Sequence, residues 1–258
     1  MSTVDPNNKR VLALMPHPDD AEILCGGTLI RLAETGYEVH VATMTPGDMG
    51  SPTLPRSEIA RIRREEARKG AESMGAKSYT CLEVPDIEIT FDVPARKLVG
   101  SMLRKVDPFL IITTPPRDYM FDHEITSHLV RDACFNGPMN NFYTPGPWPP
   151  LSAIPYLYYA DALEGHDIYG VRSPITCFID VSGVIDRKAG ALACHASQRE
   201  WLRAHHGMDS YIESMKQWAA KRGAECGTAY AEGFFLHQGH PHPQDDILCA
   251  ILGGKPAE

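Results

Sequence analysis

No apolar run in the 258-residue sequence is long enough to span a bilayer. The first nine residues, Met1 to Lys9, are polar and lack the apolar core of a secretory signal. A cytoplasmic protein without a membrane partner is the expectation. Positive charge is also scarce: 25 lysines and arginines against 33 acidic residues leave a formal charge of −8. That balance argues against a phosphate-binding surface, and hence against nucleic acid as the main partner. The seven cysteines, at 25, 81, 134, 177, 194, 226 and 249, are odd in number, widely spaced and free of any C-x-x-C pair. They read as buried thiols in a reducing compartment rather than as a disulfide framework. No G-x-G-x-x-G follows the first apolar run, so no dinucleotide cofactor is inferred.

What the chain does have is alternation. Apolar runs at 10–15, 37–44, 78–84 and 108–114 read as strands, separated by helical patterns over 23–35, 57–74, 94–106 and 124–134. This order predicts βαβ units. The fold class is therefore α/β, a Rossmann-like three-layer arrangement with a mostly parallel sheet, and the length suits a single domain over 1–258. Further strands are expected at 154–159 and 176–181, and helices at 186–194 and 210–222. The segment 136–153, rich in proline and glycine, reads as a long loop at an active-site rim or an oligomer contact. Residues 236–258 read as a C-terminal tail.

Chemistry concentrates in Met15-Pro16-His17-Pro18-Asp19-Asp20, immediately after the first strand. A strand end is where an open α/β sheet binds its ligand. Zinc accepts imidazole nitrogen and carboxylate oxygen, and a catalytic site needs three protein ligands and one open position. His17 and Asp20 can converge on one point if a helix starts at Asp20, which leaves Asp19 free as a base. The competing reading is a strand-to-helix turn in which an aspartate caps the helix. A second cluster, Tyr119-Met120-Phe121-Asp122-His123-Glu124, follows the strand at 108–114, and His123 is the candidate third ligand.

The segment His17-Pro18-Asp19-Asp20-Ala21-Glu22 with Gly26-Gly27-Thr28-Leu29 resembles the signature of the PIG-L/LmbE-like family of zinc-dependent deacetylases acting on N-acetylglucosaminyl groups. Thr45-Pro46-Gly47-Asp48-Met49-Gly50, Ile62-Arg63-Arg64-Glu65-Glu66-Ala67, Pro85-Asp86 and Asp122-His123 match it in order, so the likeness covers the first half of the chain closely. The resemblance implies His17, Asp20 and His123 as zinc ligands, though another divalent ion suits the same donors, and Asp19 as general base. It places Arg63 and Asp122 on the substrate side; alternatively Arg63 is a solvated charge on a helix face shared with Arg61, Arg64 and Arg68. The implied reaction is removal of an acetyl group from an N-acetylated amino sugar or sugar conjugate, by a homo-oligomer of three or six copies. The alternatives are an amidase on another N-acylated small molecule or thiol conjugate, or a non-catalytic metal- or nucleotide-binding regulatory module.

One departure stands out. The family often has His-Pro where this chain has Met120-Phe121, and a methionine cannot donate a hydrogen bond to an oxyanion. A donor borrowed from His205, His206, His237, His240 or His242 is one expectation. Elsewhere, Tyr156, Tyr158 and Tyr159 are candidates to line a sugar pocket. The His195-Ala196-Ser197-Gln198 element is similar to a His-x-Ser-Gln element in part of the family, and suits capping or packing at least as well as a site role. Glu232 suits a buried hydrogen-bond network, and Gly26-Gly27 close packing of helix on sheet.

Overall fold

The computed structural model describes residues 5, 7–198 and 211–257. An eight-stranded mixed sheet runs through it in the order β3-β2-β1-β4-β5-β7-β6-β8. The strands are β1 (Arg10–Met15), β2 (Glu38–Thr43), β3 (Ser78–Cys81), β4 (Leu110–Thr113), β5 (Tyr156–Ala160), β6 (Cys177–Asp180), β7 (Ala231–Leu236) and β8 (Lys255–Pro256). Pairs from β3 across to β5 are parallel, and those from β5 through β7 and β6 to β8 are antiparallel.

Strands β1 and β4 are apolar at nearly every position because helices cover both faces of the sheet, so neither side needs polar residues. Alternate residues of β1 feed two cores. Val11, Ala13 and Met15 pack with α2 (Gly26–Glu34), while Leu12 and Leu14 pack with α4 (Val93–Val106) and α5 (Phe121–Asn136). No helix among the described residues is long and apolar enough to cross a membrane. All seven cysteines are free thiols.

The helix expected over 23–35 is two helices, α1 (Asp20–Leu24) and α2, broken at Cys25. The break aims the start of α2 at Glu232. The N–H groups of Gly27 and Thr28 donate to its two carboxylate oxygens at 2.8 Å each, and Lys188 Nζ lies 2.5 Å from Oε1. The carboxylate thus meets the positive end of a helix. Gly27 is needed for this approach: a Cβ there would stand 2.6 Å from Val181 Cγ1. Gly27→Ala is expected to cost about 1–3 kcal/mol by overpacking, seen as a lower urea midpoint at unchanged slope; an unmoved midpoint would mean that α2 slides off Val181 freely.

Two expectations for the second half need correction. The segment 137–155 has neither helix nor strand, but it is no active-site rim. It joins α5 to the start of β5, and a connection entering a parallel strand must return to the edge where strands begin. There Arg104 ties it down through the carbonyls of Gly137 (3.1 Å) and Met139 (2.7 Å). The expected tail carries α8 (Ile247–Leu252), capped by Asp246, and β8. Strand β7 has no apolar alternation to betray it, because Glu232 and Gly233 interrupt the pattern.

Candidate active site

After β1 the chain turns to one side to build β2 and β3, then crosses back to place β4 on the other side of β1. The loops leaving β1 and β4 therefore part at the point where strand order reverses, and the crevice between them is open to a ligand. His17 to Asp19 come from the first loop and Asp20 opens α1 behind it; Asp118 comes from the second loop, and Asp122 and His123 from the first turn of α5.

His17, Asp20 and His123 are brought together, all buried, with one donor atom from each inside a 4.8 Å group. His17 Nδ1 lies 3.3 Å from Asp20 Oδ2, and His123 Nε2 lies 3.6 Å from Asp20 Oδ1. The far nitrogen of each ring faces carboxylate: His17 Nε2 is 3.2 Å from both Asp86 Oδ1 and Asp122 Oδ2, and His123 Nδ1 is 3.3 Å from Asp118 Oδ1. Such partners fix which nitrogen a ring presents to a metal. Burial pushes the Asp20 carboxyl up, yet His123 and His17 hold it down at about 2. Burial would lower both imidazoles, but the carboxylates around them raise both instead, with Asp122 foremost for His17 and Asp20 for His123. The pocket is thus one in which positive charge is favoured. Both ring nitrogens of His123 are also buried without a hydrogen-bond partner among the described residues, and Nε2 is the one turned toward Asp20. Two imidazoles, one carboxylate and an orphaned ring nitrogen fit a zinc-like cation. His17 Nε2 with Asp86 and Asp122 forms another close trio, with a single nitrogen.

Asp19 is the N-cap of α1 and yet makes no side-chain cap, while Asp20, the residue to which the capping reading falls, turns Oδ2 back to accept the His17 N–H at 2.8 Å rather than capping α1. Its φ of 105° is a left-handed backbone that a residue with a Cβ rarely adopts. This turn sends the carboxylate away from the helix, where Oδ2 accepts a 2.5 Å hydrogen bond from the Tyr211 hydroxyl and stands 3.7 Å from Arg63. Burial first, and then the neighbouring Asp20 charge, push the Asp19 carboxyl up against the opposing pull of Arg63.

Arg63, on α3 (Arg56–Ser73), is 3% exposed and not on a solvated face. It donates to the carbonyls of Pro18 (2.9 Å) and Gly47 (3.2 Å), joining the His17–Asp20 loop to the one after β2. Asp122, expected on the substrate side, does not line the cavity but faces the back of His17 and accepts the Ile87 N–H at 2.9 Å.

These groups open into a cavity of about 860 Å³. His17, Asp19 and Asp20 form its floor, Tyr119 and Met120 border it on one side, and α7 (Tyr211–Cys226) walls the other through Tyr211, Met215, Trp218 and Lys221. Several sequence-based expectations fall elsewhere. Because β7 runs antiparallel to β5, it carries His237 away from the crevice to the edge where β5 begins; the His237 N–H bonds Leu157 O, and the His242 ring meets His237 edge to face with centroids 4.6 Å apart. The histidine-rich tail, including His240, therefore does not supply the donor missing at Met120. His205 and His206 lie outside the described residues. Tyr156, Tyr158 and Tyr159 spend their hydroxyls on Asp245, Asp246 and His237 and do not line the cavity. His195 packs against Glu22 at 3.2 Å and Ser197 bonds Glu66, a packing role, whereas Gln198 of the same element lines the cavity. Sequence reasoning missed Asp118 and Tyr211. Asp118 had a signal in its closeness to Asp122-His123, whereas Tyr211 had none.

The profile described as "PIG-L: GlcNAc-PI de-N-acetylase" matches residues 12–134. The chain is 28% identical over 251 residues to the diacetylchitobiose deacetylase of Thermococcus kodakarensis, covering 89% of this chain and 85% of that protein. It is 27% identical over 198 residues, 74% of each chain, to the 4-oxalmesaconate hydratase of Pseudomonas putida. The structure of N,N'-diacetylchitobiose deacetylase from Pyrococcus horikoshii superposes with a TM-score of 0.76 at 26% identity, covering 93% of this chain and 89% of that one.

Proposed function

The chain belongs to the PIG-L/LmbE family of N-acetylglucosaminyl deacetylases as a distant relative of its known members, and on that footing we propose that it is a metal-dependent hydrolase removing an acetyl group from an N-acetylated amino sugar or sugar conjugate. The observation that carries this reading is the buried trio of His17, Asp20 and His123, whose first two members line the floor of a cavity, with the uncapped carboxylate of Asp19 beside them. His17 through Nδ1, His123 through Nε2 and the Asp20 carboxylate would hold the ion. A divalent cation such as zinc supplies Lewis acidity toward a carbonyl oxygen and toward water.

The remaining work belongs to side chains. Asp19 takes a proton from the attacking water and returns it to the departing amine, so a single carboxylate serves both halves of the reaction. Asp122 hydrogen-bonds His17 Nε2, while Asp86 beside that nitrogen and Asp118 beside His123 Nδ1 are facing carboxylates that favour one orientation of each ring. Arg63 lines the cavity wall and offers its positive charge to the polar atoms of the substrate. The relationship to a hydratase shows that water can be aimed at a different bond in this family, so the test must read the product.

Acetate release from a panel of N-acetylated sugars, measured before and after chelation with metal content on the same samples, decides the matter. Release that chelation abolishes and zinc restores is expected. Bound metal without acetate from any acylated amine would overturn the deacetylase reading. His123→Ala is expected to lose its metal on dialysis, and unchanged zinc content would remove His123 from the ligand set.

A further inference from the structure

Helix α7 delivers one more group to the floor of the cavity. Its Tyr211 is 7% exposed, with the ring packed among Ile185, Leu192 and Met215. Its hydroxyl donates to Asp19 Oδ2 at 2.5 Å. Among the described residues this is the only hydrogen bond made by the Asp19 side chain; Arg63, at 3.7 Å from the same oxygen, is too far for one.

An aspartate carboxylate turns easily about its last bond, because that torsion is broad and nearly two-fold. A base must be aimed, and a turn with φ at 105° carries strain that its surroundings have to contain. We infer that Tyr211 is the positioning residue of Asp19: its hydroxyl pins Oδ2, sets the plane of the carboxylate and leaves Oδ1 to act on water in the cavity. This rests on the assignment of Asp19 as base. Met215 and Trp218, one and two turns further along the same helix, line the cavity, so one rigid element both borders the substrate and aims the base.

The test uses the full-length, zinc-loaded protein. Tyr211→Phe keeps the buried ring and removes only the hydroxyl. It is expected to lower kcat about 10- to 100-fold, the scale on which misaimed groups act, with KM, zinc content and thermal midpoint unchanged. A second readout does not depend on turnover. With a fluorinated tyrosine at position 211, the fluorine NMR resonance is expected to move on Asp19→Asn and to stay in place on Asp132→Asn, a change in the distant Arg96 ion pair. A resonance indifferent to Asp19→Asn overturns the contact, and full kcat in Tyr211→Phe overturns the positioning role. A joint fall of kcat, zinc content and thermal midpoint overturns it too, by assigning the hydroxyl to the fold. Intact turnover in Asp19→Asn would instead sink the base assignment, and the positioning role with it, while the fluorine shift would still report the contact.

Discussion

Asp19→Asn is expected to keep its zinc and to lose on the order of 100- to 10,000-fold of turnover, the range that general base catalysis supplies. The same variant should melt no lower than the parent. Asparagine tolerates the left-handed backbone at position 19 better than most residues, it still offers Tyr211 an acceptor, and it removes a buried charge next to Asp20. Activity and stability should therefore move in opposite directions, the pattern expected where strain is kept for function. Turnover, zinc content and thermal midpoint measured on one preparation would show it. Undiminished turnover would take Asp19 out of the mechanism, and a clear drop in melting temperature would show that its carboxylate serves the fold.

Glu232→Ala should produce the largest loss of stability. Its carboxylate is 3% exposed at the side chain and meets Lys188, itself 2% exposed, together with the two N–H groups that open α2. Removing it leaves a buried ammonium and two buried donors without a partner, a defect of about 3–5 kcal/mol. Lys188→Met should cost less, because Glu232 would keep both backbone donors and the methionine would fill the stem's volume. Urea unfolding of the two variants makes the comparison. A loss below about 1 kcal/mol in Glu232→Ala, the level of a solvated surface pair, would mean that water reaches Lys188 and replaces the carboxylate.

The parallel half of the sheet was legible because β1 and β4 are covered on both faces and read as unbroken apolar runs. The floor of the site was legible for a related reason. Its ligands sit in the loops that follow those strands and in the first turns of the helices after them, so sequence adjacency and spatial adjacency agree. Beyond β5 the agreement ends. The reversal of direction at β7 cannot be seen in a strand interrupted by Glu232 and Gly233, and without it the histidines at 237, 240 and 242 cannot be placed at the far edge. Nor does any local pattern say that Tyr211 meets a carboxylate 192 positions earlier. A helix with period 3.6 shows an apolar face but not what that face covers.

The floor of the cavity and its far wall come from separate stretches of the chain: every proposed ligand lies before residue 124, while Trp218 and Lys221 stand on α7. Reactivity and selectivity can consequently diverge along independent routes. A lineage could resculpt α7 to admit a new conjugate and inherit its hydrolytic centre untouched, provided one tyrosine stays where the two territories touch.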